Sequence, residues 1–157
     1  MQIEKCIEEI ENEIELINEL IESHELLLNK VKTSTPDRIE ISALATVLHS
    51  FYNGIENVFS RIANRLDKKQ PSSEFWHQEL LEQMKSGTPK RKAVISNELH
   101  GKLNLYLGFR HFFRHAYAFQ FKWEKIKELV MDLPGVYTQF KQETNQFIKK
   151  LNLQIEK

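Results

Sequence analysis

Isoleucine recurs along the first part of the chain at spacings of 4 and 3: Ile3, Ile7, Ile10, Ile14, Ile17 and Ile21, continued by His24, Leu28 and Val31. That spacing keeps one apolar seam on a helix for about four heptads. Cys6, Leu16, Leu20 and Leu27 widen the stripe, which predicts a helix packed in a bundle rather than a bare two-stranded coil. Thr33-Ser34-Thr35-Pro36 ends the pattern. His24 interrupts the seam and reads as a packed or register-setting residue, because interior histidines usually find plain hydrogen-bond partners.

A second helix is predicted from near Asp37 to about Leu66, with Ile41, Leu44, Ala45, Leu48, Phe51, Tyr52, Ile55, Val58, Phe59 and Ile62 on a broad apolar face. The polar break 67–73 follows, with Ser72 or Ser73 placed to cap a short third helix from Glu74 to about Lys85. Phe75, Trp76, Leu80, Leu81 and Met84 are its apolar positions. Lys90-Arg91-Lys92 reads as solvated loop surface, with direct contact to nucleic acid as the alternative. The fourth helix starts near Ala93 or Ser96 and runs out close to His115–Tyr117. Val94, Ile95, Leu99, Leu103, Leu105, Tyr106, Phe109, Phe112 and Phe113 form its inner side. Ala118–Phe121 reads as a short extended connection. A compact helix from Lys122 to Met131 is expected to stop at Leu133-Pro134-Gly135, and a last helix from about Val136 to Leu153 closes the bundle. No strand pattern and no repeat is visible, so the expected fold is all-α: an antiparallel bundle of about five to six helices with a long N-terminal helix, in a single domain over 1–157.

Composition narrows this only a little. Lysine plus arginine and aspartate plus glutamate number 22 each, so net charge gives no hint of a polyanion partner. The distribution is more informative: residues 1–32 carry a net charge of −6 and the remainder +6. An acidic first helix against a basic body favours intramolecular docking or leaves a basic face free. Cys6 is the only cysteine, which excludes an internal disulfide and the paired-cysteine zinc patterns. No apolar run has membrane-spanning length and the start does not resemble a signal peptide, so a cytoplasmic location is expected.

The chemistry is concentrated in Arg110-His111-Phe112-Phe113-Arg114-His115-Ala116-Tyr117, at the end of the fourth helix. Arginine offers a fixed cationic fork for phosphate, and histidine moves a proton near neutral pH. Arg110 and Arg114 share one helix face, and His111 and His115 share another. Arg110 and His115 are five apart, about 140° round an ideal helix, so they do not converge on one regular helix. Unwinding near His115, or packing of two chains, would bring them together. Two plainer readings stand beside this one. Cations at a helix C-terminus complement its dipole and terminal carbonyls. His111 and His115 also have zinc-ligand spacing, but Phe112 stands where a zinc-protease helix carries glutamate, and nearby cations oppose a metal. No metal and no cofactor is therefore expected. Tyr117 reads equally as a core aromatic with a bonded hydroxyl.

Arg110, His115 and Tyr117 in the order Arg-x4-His-x-Tyr resemble the signature of HepT-type toxins in the HEPN superfamily. The Trp76–Met84 helix, the 109–118 segment, the 129–134 stretch and the helical layout are similar as well, over roughly residues 40–150. The resemblance implies a metal-independent endoribonuclease toxin of a type VII-like toxin–antitoxin pair, cutting mRNA or tRNA. It implies a homodimer with the motif helices facing across a composite cleft. His115 would be the acid/base for attack by the ribose 2′-hydroxyl, and Arg110 the holder of the phosphoryl oxygens, leaving a 2′,3′-cyclic phosphate. His111 and Arg114 are candidates for supporting phosphate or RNA contact. Tyr117 is implied as the site where a minimal nucleotidyltransferase antitoxin attaches AMP and silences the nuclease. The alternative is a non-catalytic HEPN module that dimerises and binds RNA or the nucleotidyltransferase. His24, His49, His77 and His100 lie outside the signature and are expected to serve packing or surface roles.

Overall fold

The structure, a computed structural model, describes residues 2–156. Among the described residues six α-helices follow one another: α1 Gln2–Ser23, α2 Glu25–Lys30, α3 Arg38–Ile62, α4 Trp76–Met84, α5 Asn97–His115 and α6 Trp123–Glu156. There is no strand among the described residues, and the all-α bundle expected from the pattern is what forms.

Helix α3 is the central element, packed on α1, α4, α5 and α6. It earns that place because apolar side chains surround most of its circumference: Leu44, Leu48, Phe51, Tyr52, Ile55, Val58, Phe59 and Ile62 are all buried. Asp37 starts it with a reciprocal cap, its carboxylate accepting from the Glu40 amide at 2.8 Å while Glu40 accepts from the Asp37 amide at 3.0 Å. The isoleucine seam of α1 lies along α3, with Ile7, Ile10 and Ile17 buried. The two helices touch so closely at Gly54 that a Cβ there would sit 2.6 Å from Ile17 Cγ1. Glu9 of the acidic α1 accepts from Arg65 at 3.2 Å and lies 3.4 Å from Arg61. The seam then breaks at His24, whose Nδ1–H donates to the Leu20 carbonyl at 2.9 Å. Leu16, expected in the stripe, is exposed. Burial pushes the Cys6 thiol up to about 11, so it stays protonated.

The final turn of α3 widens into a π-turn at Ala63–Asp67 and stops at Lys68 in the left-handed region, φ 55°. This ending presents Asp67 to Arg91. The expected cationic loop surface needs correcting here, for Arg91 is buried and makes a two-pronged ion pair with Asp67 at 2.7 and 2.8 Å. Its guanidinium also donates to the carbonyls of Ser86, Lys92 and Gln83. One arginine thus closes the whole 86–92 loop, because a planar fork satisfies several fixed acceptors at once.

The largest departure from the sequence pattern is α6. The expected stop at Leu133-Pro134-Gly135 is absent, and a single helix runs through Pro134 to Glu156. Proline removes one helical hydrogen bond and crowds the carbonyl four residues back, at a cost of about 3 kcal/mol. Against that, Ile126, Val130, Leu133, Val136, Tyr137, Phe140, Phe147, Ile148 and Leu151 are buried on one side of the helix. Each such burial contributes roughly 1.5–3 kcal/mol, so the continuous helix wins. Pro134 and Gly135 are themselves exposed, where the ring displaces no core side chain.

Helix α5 starts one residue after Ser96, whose Oγ accepts from the Leu99 amide at 3.1 Å. Glu143 of α6 accepts from both the amide and the hydroxyl of Ser96, at 2.6 and 2.9 Å. Val94 and Ile95 are buried in the preceding turn rather than on the helix. Further along, the buried Tyr106 hydroxyl donates to the Leu129 carbonyl at 2.7 Å. These ties fix the direction of α5, and with it the segment 110–117.

Candidate active site at the end of the fifth helix

Helix α5 stays regular through His115, and the chain turns extended only at Ala116, φ −103° and ψ 150°. Unwinding does not bring Arg110 and His115 together. Within one chain the segment divides as the helical phases require. Arg110 and Arg114 act on α3, where both charges reach His49, whereas His111 and His115 face one another edge-on with ring centroids 5.0 Å apart. Among the described residues no hydrogen bond, ion pair or ring contact joins Arg110 to His115.

Arg110 is half-buried and held by a single bond: its Nε donates to Asn53 Oδ1 at 3.0 Å. Neither terminal nitrogen has a hydrogen-bond partner among the described residues. The fork that would grip a phosphate is therefore aimed and unoccupied by the protein's own acceptors. Asn53 also reaches His49, Nδ2 to Nδ1 at 3.4 Å. An amide nitrogen only donates, so Nδ1 accepts and neutral His49 carries its proton on Nε2. Burial, followed by the charges of Arg110 and Arg114, lowers the His49 pKa below its ordinary value and favours this neutral form.

His49 and Asn53 are the residues that sequence reasoning missed. The available signal was a polar row at spacings of 4 and 3 (His49, Asn53, Glu56) along a helix otherwise apolar. Glu56 is the third member, buried and bound to His77 Nδ1 at 2.7 Å.

Aromatic rings determine where the chain goes after His115. His49 stacks on Phe113 with centroids 4.2 Å apart, and Phe113 stacks on Phe121 at 5.4 Å and 8°. Phe121 also touches Phe109 and Phe112. Its return to this cluster makes Ala118–Gln120 a single 3₁₀ turn, not the extended connection expected. The Tyr117 amide donates to Gln120 Oε1 at 2.7 Å and anchors the turn. Tyr117 is consequently no core aromatic: it is 73% exposed and lies parallel to Phe119, itself 63% exposed.

The outer face of α5 carries exposed apolar side chains interspersed with glycine. Gly101, Leu105, Gly108 and Phe112 follow spacings of 4, 3 and 4, with Leu105 63% and Phe112 41% exposed. A Cβ at Gly101 or Gly108 would meet nothing within 4 Å. Both Leu105 and Phe112 were expected on the inner side of the helix.

An all-helical bundle carrying Arg-x4-His-x-Tyr at the end of a long core helix defines a protein of the HEPN class. The chain matches the model of the family described as HepT-like protein over residues 43–151, and it belongs to that family. No match was found among curated proteins or among solved structures. No helix among the described residues is long and apolar enough to cross a membrane.

Proposed function

We propose that this protein is a metal-independent endoribonuclease, the toxin of a toxin–antitoxin pair acting in the cytoplasm. The observation that carries the reading is Arg110, pinned through Nε by Asn53 with both terminal nitrogens open, one and a half turns before an exposed histidine. The ribose 2′-oxygen attacks the adjacent phosphorus as His115 takes its proton. The bond from phosphorus to the 5′-oxygen breaks, and that oxygen takes a proton from solvent while the His115 imidazolium returns its own to solvent. Arg110 neutralises the charge that builds on the phosphoryl oxygens. The products are a 2′,3′-cyclic phosphate and a 5′-hydroxyl end. DNA lacks the attacking hydroxyl and stays intact. His111 and Arg114 supply further contact to the RNA backbone.

The site is completed by a second copy of the chain. Two glycines inside a helix cost about 1 kcal/mol each relative to alanine, and in one chain nothing packs against Gly101 or Gly108. A partner α5 laid along Gly101, Leu105, Gly108 and Phe112 covers two exposed apolar side chains. The pairing of His115 from one copy with Arg110 from the other rests on the family resemblance, because Arg110 lies on the opposite side of α5 from this seam, toward α3. Control comes from a nucleotidyltransferase antitoxin: the exposed Tyr117 phenol attacks the α-phosphorus of ATP, pyrophosphate leaves, and the AMP adduct fills the cleft with charge and bulk.

The test is cleavage of single-stranded RNA in EDTA by the unmodified protein, its Arg110→Ala and His115→Ala variants, and protein adenylylated on Tyr117. Cutting by the unmodified protein alone is expected. Chelator-sensitive cutting, or full activity in His115→Ala, contradicts the mechanism. RNA binding without cutting identifies a non-catalytic HEPN module instead.

A further inference from the structure

The turn after His115 exposes more aromatic surface than the catalytic reading uses. Tyr117 and Phe119 present parallel rings, 4° apart in plane and 5.7 Å between centroids, both mostly open to solvent. Behind Phe119 lies a cleft of about 630 Å³ bordered by Arg38, Ile41, Phe121, Lys122 and Trp123. Arg38 and Lys122 have no ion-pair partner among the described residues, while one carboxylate, Glu124, shares the rim. The turn is held rigidly by the Tyr117–Gln120 bond and by the seating of Phe121 among Phe109, Phe112 and Phe113. Flat rings on a fixed turn, flanked by free cations, have the chemistry that captures an unpaired base together with its phosphates.

We propose that Tyr117, Phe119 and the adjoining cleft form a subsite for an unpaired nucleobase of RNA, with Arg38 and Lys122 holding the phosphates on either side. The proposal rests on the ribonuclease reading for its substrate class and deepens it. Stacking holds a nucleotide next to the one cleaved and selects single-stranded over paired RNA, whose bases are already stacked on each other. It also gives the Tyr117 adduct a second way to silence the enzyme: the attached adenine occupies the surface that the RNA base requires.

The experiment uses full-length protein in the His115→Ala background, so that RNA is bound and not consumed. The probes are a single-stranded RNA carrying 2-aminopurine, whose fluorescence falls on stacking, and the same RNA with an abasic position there. The parent is expected to quench the fluorescence. Phe119→Ala is expected to abolish the quenching and weaken binding about tenfold, or about 1.4 kcal/mol. Phe119→Trp should restore both, and Lys122→Gln should weaken binding and lessen its salt dependence. The abasic RNA should bind parent and Phe119→Ala alike. Equal affinity of parent and Phe119→Ala for the base-containing RNA overturns the subsite. So does a change of oligomeric state in Phe119→Ala with RNA affinity preserved, which would assign the rings to a contact between chains. The two readings fail separately. Base-dependent binding by a protein whose unmodified form cuts no RNA removes the nuclease and keeps the subsite. Cutting that is indifferent to Phe119→Ala removes the subsite alone.

Discussion

Arg110 owes its aim to one acceptor, Asn53 Oδ1, supplied by a different helix. Asn53→Ala leaves the guanidinium its charge but frees its direction, and misplacement on the scale of an ångström costs up to about 100-fold in rate. We expect RNA cleavage to fall by about 10- to 100-fold with RNA affinity nearly unchanged, measured as kcat and KM separately. Asn53→Asp, which keeps an acceptor for Nε, should hold Arg110 in place, seen as a protected Arg110 Nε–H signal in NMR that Asn53→Ala loses. His49 yields a prediction of opposite character. Its folded pKa lies below the ordinary 6.5, so the unfolded chain takes up the proton first. The stability it contributes is complete above that value and is lost as pH falls through it. His49→Phe preserves the ring stack on Phe113 and removes the titration, so its urea stability should fall less than the parent's between about pH 7 and pH 5. Equal slopes would contradict this. At this scale the sequence was legible where chemistry is local: Arg110, His111, Arg114, His115 and Tyr117 stand within eight positions. Asn53 was not legible, because its role depends on a contact across 57 positions.

At the scale of elements, periodicity located α1, α3 and α5, while the misreadings at 134–135 and at Arg91 share one cause. Gly, Pro and charge were read by local preference, whereas burial elsewhere decided the outcome. Proline and glycine at 134–135 argued for a stop, but apolar residues on both sides keep one face buried through α6. Because Gly135 is then an exposed helix-interior residue with free space around it, Gly135→Ala should stabilise the protein by about 0.5–1 kcal/mol in chemical denaturation. No gain would mean that the helix breaks there after all. Arg91 was hidden for a related reason: in Lys90-Arg91-Lys92 all three residues look alike, and only the π-turn that delivers Asp67 separates them. Removing one partner of a buried ion pair strands the other, so Arg91→Ala should cost about 3–5 kcal/mol. A loss below about 1 kcal/mol would place the pair in the class of exposed bridges.

For the whole molecule, the decisive feature is a helix face that one chain leaves bare. A side chain fits at Gly108 without meeting any neighbour, so Gly108→Glu should leave the monomer folded. In the proposed dimer it inserts a charge into the seam, and both dimerisation and RNA cleavage should be lost together in sedimentation and activity measurements. That Arg110 and His115 do not converge within one regular helix was legible from helical phase, since five residues separate them. The bare face of α5 was not, because Leu105 and Phe112 look like core positions until the neighbours of α5 are known. If guanidinium and imidazole are contributed in trans, mixing two inactive chains should restore cutting. Arg110→Ala and His115→Ala are each expected to be inactive in EDTA. After the two are unfolded and refolded together, half the dimers carry one intact site, so roughly a quarter of the unmodified activity should return. A mixture that forms mixed dimers and still cuts nothing, while the unmodified protein cuts, would show that the site is not shared between chains.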